Sequence, residues 1–253
     1  PGAQAQIASQ KRFPPTRVVA LPQLARVLAM EPPAVVPADA TSSGKPPNGT
    51  ASATESAGSL KLDEAQIAKI HSTVRWGKSE AEIEEVIKVV GTSTADALSA
   101  EDPKNGNRCL HIAAQNGHQS LVTWLLGEKA DVNAQNLKGQ TALHMSVEYD
   151  FYFQTLVLLE AGADKELTNA DGHAAIQGLE GGKVGGESWD NPVTVLKAAG
   201  DNLEELEVAM SMLEQADPSS IDKAMLVQAG MAKRKRCKDN WNAERFAGIM
   251  KRL

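Results

Sequence analysis

The chain of 253 residues holds only two cysteines, Cys109 and Cys237. A disulfide framework needs more, so the sequence reads as intracellular, from a reducing compartment, with the cytoplasm as default and a plastid or mitochondrion as the alternative. Aromatic side chains make up 4% of the chain. A core so poor in rings is built from Leu, Val, Ile, Ala and Met, which suits close helix packing better than a large β-sandwich. No run of 18 apolar residues occurs, which excludes a membrane-spanning helix. The most apolar early stretch, Val18 to Met30, is broken by Pro22 and Arg26. Excess positive charge is missing as well: the net charge of −6 argues against nucleic acid as the main partner. Acid is absent from the first 30 residues, which carry Lys11, Arg12, Arg17 and Arg26. That composition reads either as a basic disordered tail or as an organelle transit peptide.

Signatures of catalysis are also wanting. Gly77-Lys78-Ser79 looks like the end of a phosphate loop, but Ser72 stands where the first glycine belongs and no strand precedes it. Gly181 to Gly186 lacks dinucleotide-loop spacing and reads as a flexible loop. Cys109 has no Cys-x-x-Cys partner for zinc. Neither a nucleophile elbow nor a paired-carboxylate motif occurs. The expectation is a non-enzyme with no catalytic residue, cofactor, metal or small-molecule substrate.

Residues 1–58 form an extended low-complexity arm punctuated by Pro14-Pro15, Pro32-Pro33 and Pro46-Pro47, with a short helix expected over 16–30. Asp63 to Arg75 reads as a helix with Ile67, Ile70 and Val74 on one face, ended by Gly77. Ser79 with Glu82 makes a capping box for a second helix reaching Val90. A strict period then appears. Gly106, Gly139 and Gly172 are 33 residues apart, as are Leu110 and Leu143, His111 and His144, Ala130-Asp131 and Ala163-Asp164, and Asn136 and Asn169.

The period and the Thr141-Ala-Leu-His144 element resemble the ankyrin-repeat family over roughly residues 102–202, or from 63 with the preceding helix pair read as a divergent unit. The resemblance implies an all-α solenoid of stacked helix-turn-helix units. The first occupies 63–101, the next two 102–134 and 135–167, and a degraded one 168–202. The array so delimited is 59–202, and a helical extension with a basic tail follows at 203–253. Thr141 caps a first helix, and Gly117 supplies the left-handed residue that ends one. Lys129 falls where Gly162 stands a unit later, and Asp150 where Gly117 stands, so both are expected in left-handed backbone. Leu125, Leu126, Leu158 and Leu159 form the expected core between units. In the degraded unit, Ala174-Ala-Ile-Gln177 replaces the Thr-x-Leu-His element, and four residues are inserted within 181–188. His111 and His144 are implied to bond within their own turns and bind no metal.

The family's partners are proteins that meet the turn tips and the concave side of the first helices. Carried over residue by residue, the tips are Lys104, Asn105, Asn107, Asn136, Leu137, Lys138 and Gln140. The helix positions are Ile112, Gln115, Asn116, Met145, Glu148 and Tyr149. Phe151, Tyr152 and Phe153 follow, and at least one of these rings is expected to be exposed as a second contact surface. The favoured function is a protein-binding adaptor. The alternative is an accessory subunit docked in a large assembly, such as an organellar, membrane-bound one, with arm and tail as staples. In the extension, a helix over Leu203 to Gln215 and another from Ile221 to about Lys235, carrying Ala224, Met225, Val227, Gln228 and Met231, are expected to cover the end of the stack. Residues 231–253 hold eight Lys and Arg against two acids, so 8 − 2 gives +6 and the remainder carries −12. The basic residues within 233–252 read as a nuclear-import signal, a peripheral contact with an anionic surface, or a clasp onto the chain's own acidic helices. Trp241, Phe246, Ile249 and Met250 are the expected anchor.

Overall fold

A computed structural model describes residues 62–253. The arm at 1–58 and the helix expected over 16–30 lie outside the described residues. Helix α1 (Glu64–Arg75) begins where the Asp63 carboxylate accepts the Gln66 N–H and the Gln66 amide answers to Asp63. The same reciprocal cap, Ser79 with Glu82, starts α2 (Glu80–Val90). Gly91, left-handed at φ 79°, ends it. The two helices pack together through Ile70, Val74, Ile83 and Ile87, all buried. A short helix absent from the sequence reading follows, α3 (Thr94–Ser99), capped by Ser93.

Two hairpins of near-equal size come next: α4 (Cys109–Gln115) with α5 (Gln119–Gly127), and α6 (Ala142–Glu148) with α7 (Tyr152–Glu160). Helix α4 is sandwiched between α1 and α6, and α5 lies against α7. Ala113 and Ala114 are wholly buried at that sandwich, where a larger side chain would push the helices apart. One hairpin cannot hide its own apolar face, so each helix pair depends on its neighbour. Leu125 and Leu158 are fully buried between units, while Leu126 and Leu159 stay half-buried at the rim. Thr141 caps α6 through its hydroxyl. Gly117 and Asp150 are left-handed, at φ 71° and 58°, and so is Lys129, at 65°.

The fourth unit departs from the pattern. With Ala174-Ala-Ile-Gln177 in place of a capped Thr-x-Leu-His start, the first helix shrinks to a 3-10 turn, Ala175–Gln177. Another such turn, Gly185–Glu187, occupies the inserted loop. The second helix, α8 (Pro192–Ala198), starts with Asn191 as cap and Pro192 in the first position, where its missing N–H costs nothing. Helices α9 (Leu203–Gln215) and α10 (Lys223–Cys237) pack on α8 and close the end of the array. Helix α11 (Ala243–Arg252) lies on α9. Among the described residues the one isolated β-bridge joins Thr168 and Ala174, so this is an all-α solenoid.

Three expectations about side chains change here. Of the three rings at 151–153 none is exposed: Tyr152 is fully buried against Trp189, and Phe151 and Phe153 are half-buried. Phe151 lies over Gly117, where an added Cβ would meet its ring at 2.7 Å. On α10 the inward residues are Leu226, Ala229, Gly230, Lys233 and Cys237, whereas Met225, Val227 and Met231 face outward. Lys233 is therefore not part of a surface charge cluster. Its ammonium is buried and donates to the Ala199 carbonyl. Burial, with Arg236 nearby, lowers its pKa from the usual lysine value.

Candidate protein-interaction surface

The turn tips are built by asparagines. Asn136 Oδ1 accepts the N–H groups of Lys138 and Gln140 at 2.9 and 3.0 Å, and Asn169 does the same for Asp171 and His173. Adjacent tips are stitched by backbone bonds, Leu137 N–H to Asn105 O at 3.0 Å and Ala170 N–H to Lys138 O at 2.9 Å. Gly106 permits the stitching, since a Cβ there would come within 2.7 Å of the Leu137 nitrogen.

Behind the tips, His111 and His144 tie their units to the next, and His71 ties its helix to the end of its own unit. His71, His111 and His144 place Nε2 at 3.2, 3.1 and 3.1 Å from the carbonyls of Ala100, Gln140 and His173. Each of these crossings spans 29 residues. The Nδ1 atoms of His111 and His144 accept the N–H of Arg108 and Thr141, both at 3.1 Å. With Nδ1 an acceptor, the hydrogen belongs on Nε2 and the rings are neutral. Burial holds all three pKa values below the ordinary histidine value. These rings are internal fasteners. Among the described residues no group of three His, Cys, Asp or Glu is placed to hold a metal ion. Cys109 is buried, and burial pushes its thiol up to about 12, which makes it a poor nucleophile. Gly77-Lys78-Ser79 proves to be a left-handed helix end followed by an N-cap.

The thirteen contact candidates separate by burial. Ile112, Met145 and Asn136 are buried in the stack and have little surface to offer. The Asn136 amide is spent on Asn107 Oδ1 and Gln140 Oε1, at 2.8 and 3.1 Å, so those half-buried residues belong to the tip network with Asn105. The Glu148 carboxylate accepts the N–H of Leu179 at 2.8 Å and of Glu180 at 3.4 Å, and thereby fastens the fourth unit. Lys104 pairs with Glu64 at 3.0 Å on the surface. Gln115, Asn116, Leu137, Lys138 and Tyr149 remain exposed, with Leu137 at 68%.

One residue that the sequence reading missed completes this surface. Trp76, Asn116 and Tyr149 are the C-cap residues of α1, α4 and α6, each directly before a left-handed residue, Gly77, Gly117 or Asp150. Because α4 sits between α1 and α6, the three form a row across the units. Trp76 is 76% exposed and Tyr149 45%. A 33-residue period does not find Trp76. Gly77 to Gly117 is 40 residues and His71 to His111 is also 40, because the first unit carries α3 and a longer second helix. The signal available in the sequence was the repeated pair of an exposed-type residue followed by Gly or Asp, read at a spacing of 40.

The family model "Ankyrin repeats (3 copies)" matches residues 80–169. The mouse nuclear factor NF-kappa-B p105 subunit is 30% identical over 135 residues, covering 50% of this chain and 13% of that protein. The human SH3 and multiple ankyrin repeat domains protein 2 is 38% identical over 74 residues, 29% of this chain and 4% of that protein. A putative ankyrin repeat protein of Rickettsia felis is 31% identical over 88 residues, 32% of this chain and 39% of that protein. This chain thus spans well under half the length of each. The likeness falls on the stitched tips and paired helices, so residues 80–169 of this chain carry ankyrin repeats.

Proposed function

We propose that the chain is an adaptor that holds a protein partner along the row Trp76, Asn116 and Tyr149 and along the adjoining tips at Leu137 and Lys138. An ankyrin array is a protein-interaction module, and this row gives its surface a specific character. The observation that carries the reading is the exposure of Trp76 and Tyr149 at equivalent helix ends of separate units. A C-cap position makes its demand on the backbone, so the fold asks little of either ring. Exposed Trp and Tyr beside an exposed arginine, Arg75, are the residue types that dominate binding energy at protein interfaces.

Cross-linking mass spectrometry on the native extract identifies the partner and the surface used. Against that partner, Trp76→Ala and Tyr149→Ala should each weaken binding by about tenfold or more. Thermal unfolding should stay nearly unchanged. Equal losses of binding and of folding stability, or no loss of binding, defeat the assignment. Glu148→Ala is unsuited to this test because Glu148 holds two backbone amides of the fourth unit. Native gels of the extract separate the adaptor, which has a free fraction, from an accessory subunit, which migrates only in its assembly.

A further inference from the structure

We propose that the outer face of α10 is a second binding face, which lays the protein onto an anionic phospholipid surface. Helix α10 runs Lys223–Cys237 and contains no Asp or Glu. Its inward side is taken by Leu226, Ala229, Gly230, Lys233 and Cys237. Outside lie Ala224, Val227 and Met231, at successive spacings of three and four residues and so on one stripe, with Met231 70% exposed. Lys235 continues the stripe four residues on, and Met225 stands at its side.

The structure also determines which cations of the basic tail are available. Lys233 is spent on the Ala199 carbonyl. Arg245 is held by Glu207, Glu214 and Ser211 of α9. Arg252 donates to the carbonyls of Leu213 and Ala216 at the end of α9. The tail is thus in part a clasp onto the chain's own helices. Lys223, Arg234, Lys235, Arg236, Lys238 and Lys251 remain exposed, and none of them makes an ion pair among the described residues.

Charge and geometry identify the occupant. Consecutive helix residues are about 100° apart, so Arg234, Lys235 and Arg236 fan over three sides of the helix. Lys235 lies on the outward stripe and Arg234 and Arg236 flank it, so long side chains from both flanks reach toward a layer of phosphate headgroups. Unbranched Met231 and the stem of Lys235 enter the headgroup boundary while the flanking guanidiniums reach phosphates. Basic clusters of this size are a recognised source of attraction to anionic membranes.

The test is flotation of the full chain with vesicles of phosphatidylcholine alone, and with about one-third phosphatidylserine. Binding is expected only with phosphatidylserine and is expected to fall steeply as salt rises. The triple variant R234Q/K235Q/R236Q should bind at least about tenfold more weakly. M231A should bind a few-fold more weakly, and both variants should unfold at the wild-type temperature. They should also keep the partner that Tyr149→Ala loses, so this inference and the adaptor reading fail separately. No flotation, flotation unaffected by the triple variant, or loss of a cross-linked acidic protein instead of vesicles each overturns the proposal.

Discussion

The two central units and the fourth unit meet the same requirement with different parts. In the central units a histidine at the third helical position accepts the N-cap N–H through Nδ1 and reaches the next unit's carbonyl through Nε2. One buried ring caps a helix and fastens a neighbour. In the fourth unit Gln177 takes that position. It answers the Ala174 N–H at 3.2 Å through its amide oxygen, but its amide nitrogen makes no hydrogen bond to another unit among the described residues. The first helix shortens to one turn, and the fastening comes from the preceding unit, whose Glu148 accepts the N–H of Leu179 and Glu180. A unit can lose its signature and stay in the stack if a neighbour satisfies its backbone amides, because a buried amide left unpaired costs more than an altered helix.

Four measurements test how differently the two kinds of unit are fastened. His144→Ala should cost about 2–4 kcal/mol in chemical denaturation, since it removes a buried ring with bonds to both Thr141 and His173. Gln177→Ala should cost under about 1 kcal/mol. Equal costs would dismiss the histidine as the special fastener. Acid should act through the same rings. Burial holds His71, His111 and His144 below the ordinary histidine value of about 6.5. As pH falls the unfolded chain takes up these protons first. Their contribution is intact above about 6.5 and drains as pH falls from there through the folded values. Thermal melts between neutral pH and pH about 5 should show a falling midpoint, with the slope reduced in His144→Ala. A flat profile contradicts neutral, buried rings. Glu148→Gln should cost about 1–2 kcal/mol, because it weakens charge-assisted bonds to Leu179 and Glu180. Hydrogen exchange should speed up over 175–199 before it changes in α4 or α6, and uniform loosening would refute a local fastening. The smallest effect is expected from Lys129→Gly. Lys129 is left-handed at φ 65° where the next unit has Gly162, so glycine there should gain about 0.5–1 kcal/mol.

The surface comparison is equally instructive. At the tips, sequence spacing located Leu137 and Lys138 correctly as exposed positions, because glycine and asparagine at fixed intervals define the turn and so which residues project from it. On the first helices the same spacing also named Ile112 and Met145, which pack inward. One step along a helix rotates a side chain by about 100°, so a contact assigned by family position needs the helix phase as well. Trp76 shows the reverse failure: its exposure follows from a C-cap whose unit is offset by 40 residues.

The period, the caps at Ser79 and Thr141, and the left-handed breaks at Gly117, Lys129 and Asp150 were legible in the sequence. Each rests on contacts within a few residues, so local chemistry suffices to specify it. Only the tertiary structure decided that Trp76 stands in line with Tyr149, that Lys233 is buried, that Arg245 is clasped by α9, and that Glu148 serves the unit after its own. These depend on which helix faces which, and residues 31 or more positions apart meet only once the stack has formed.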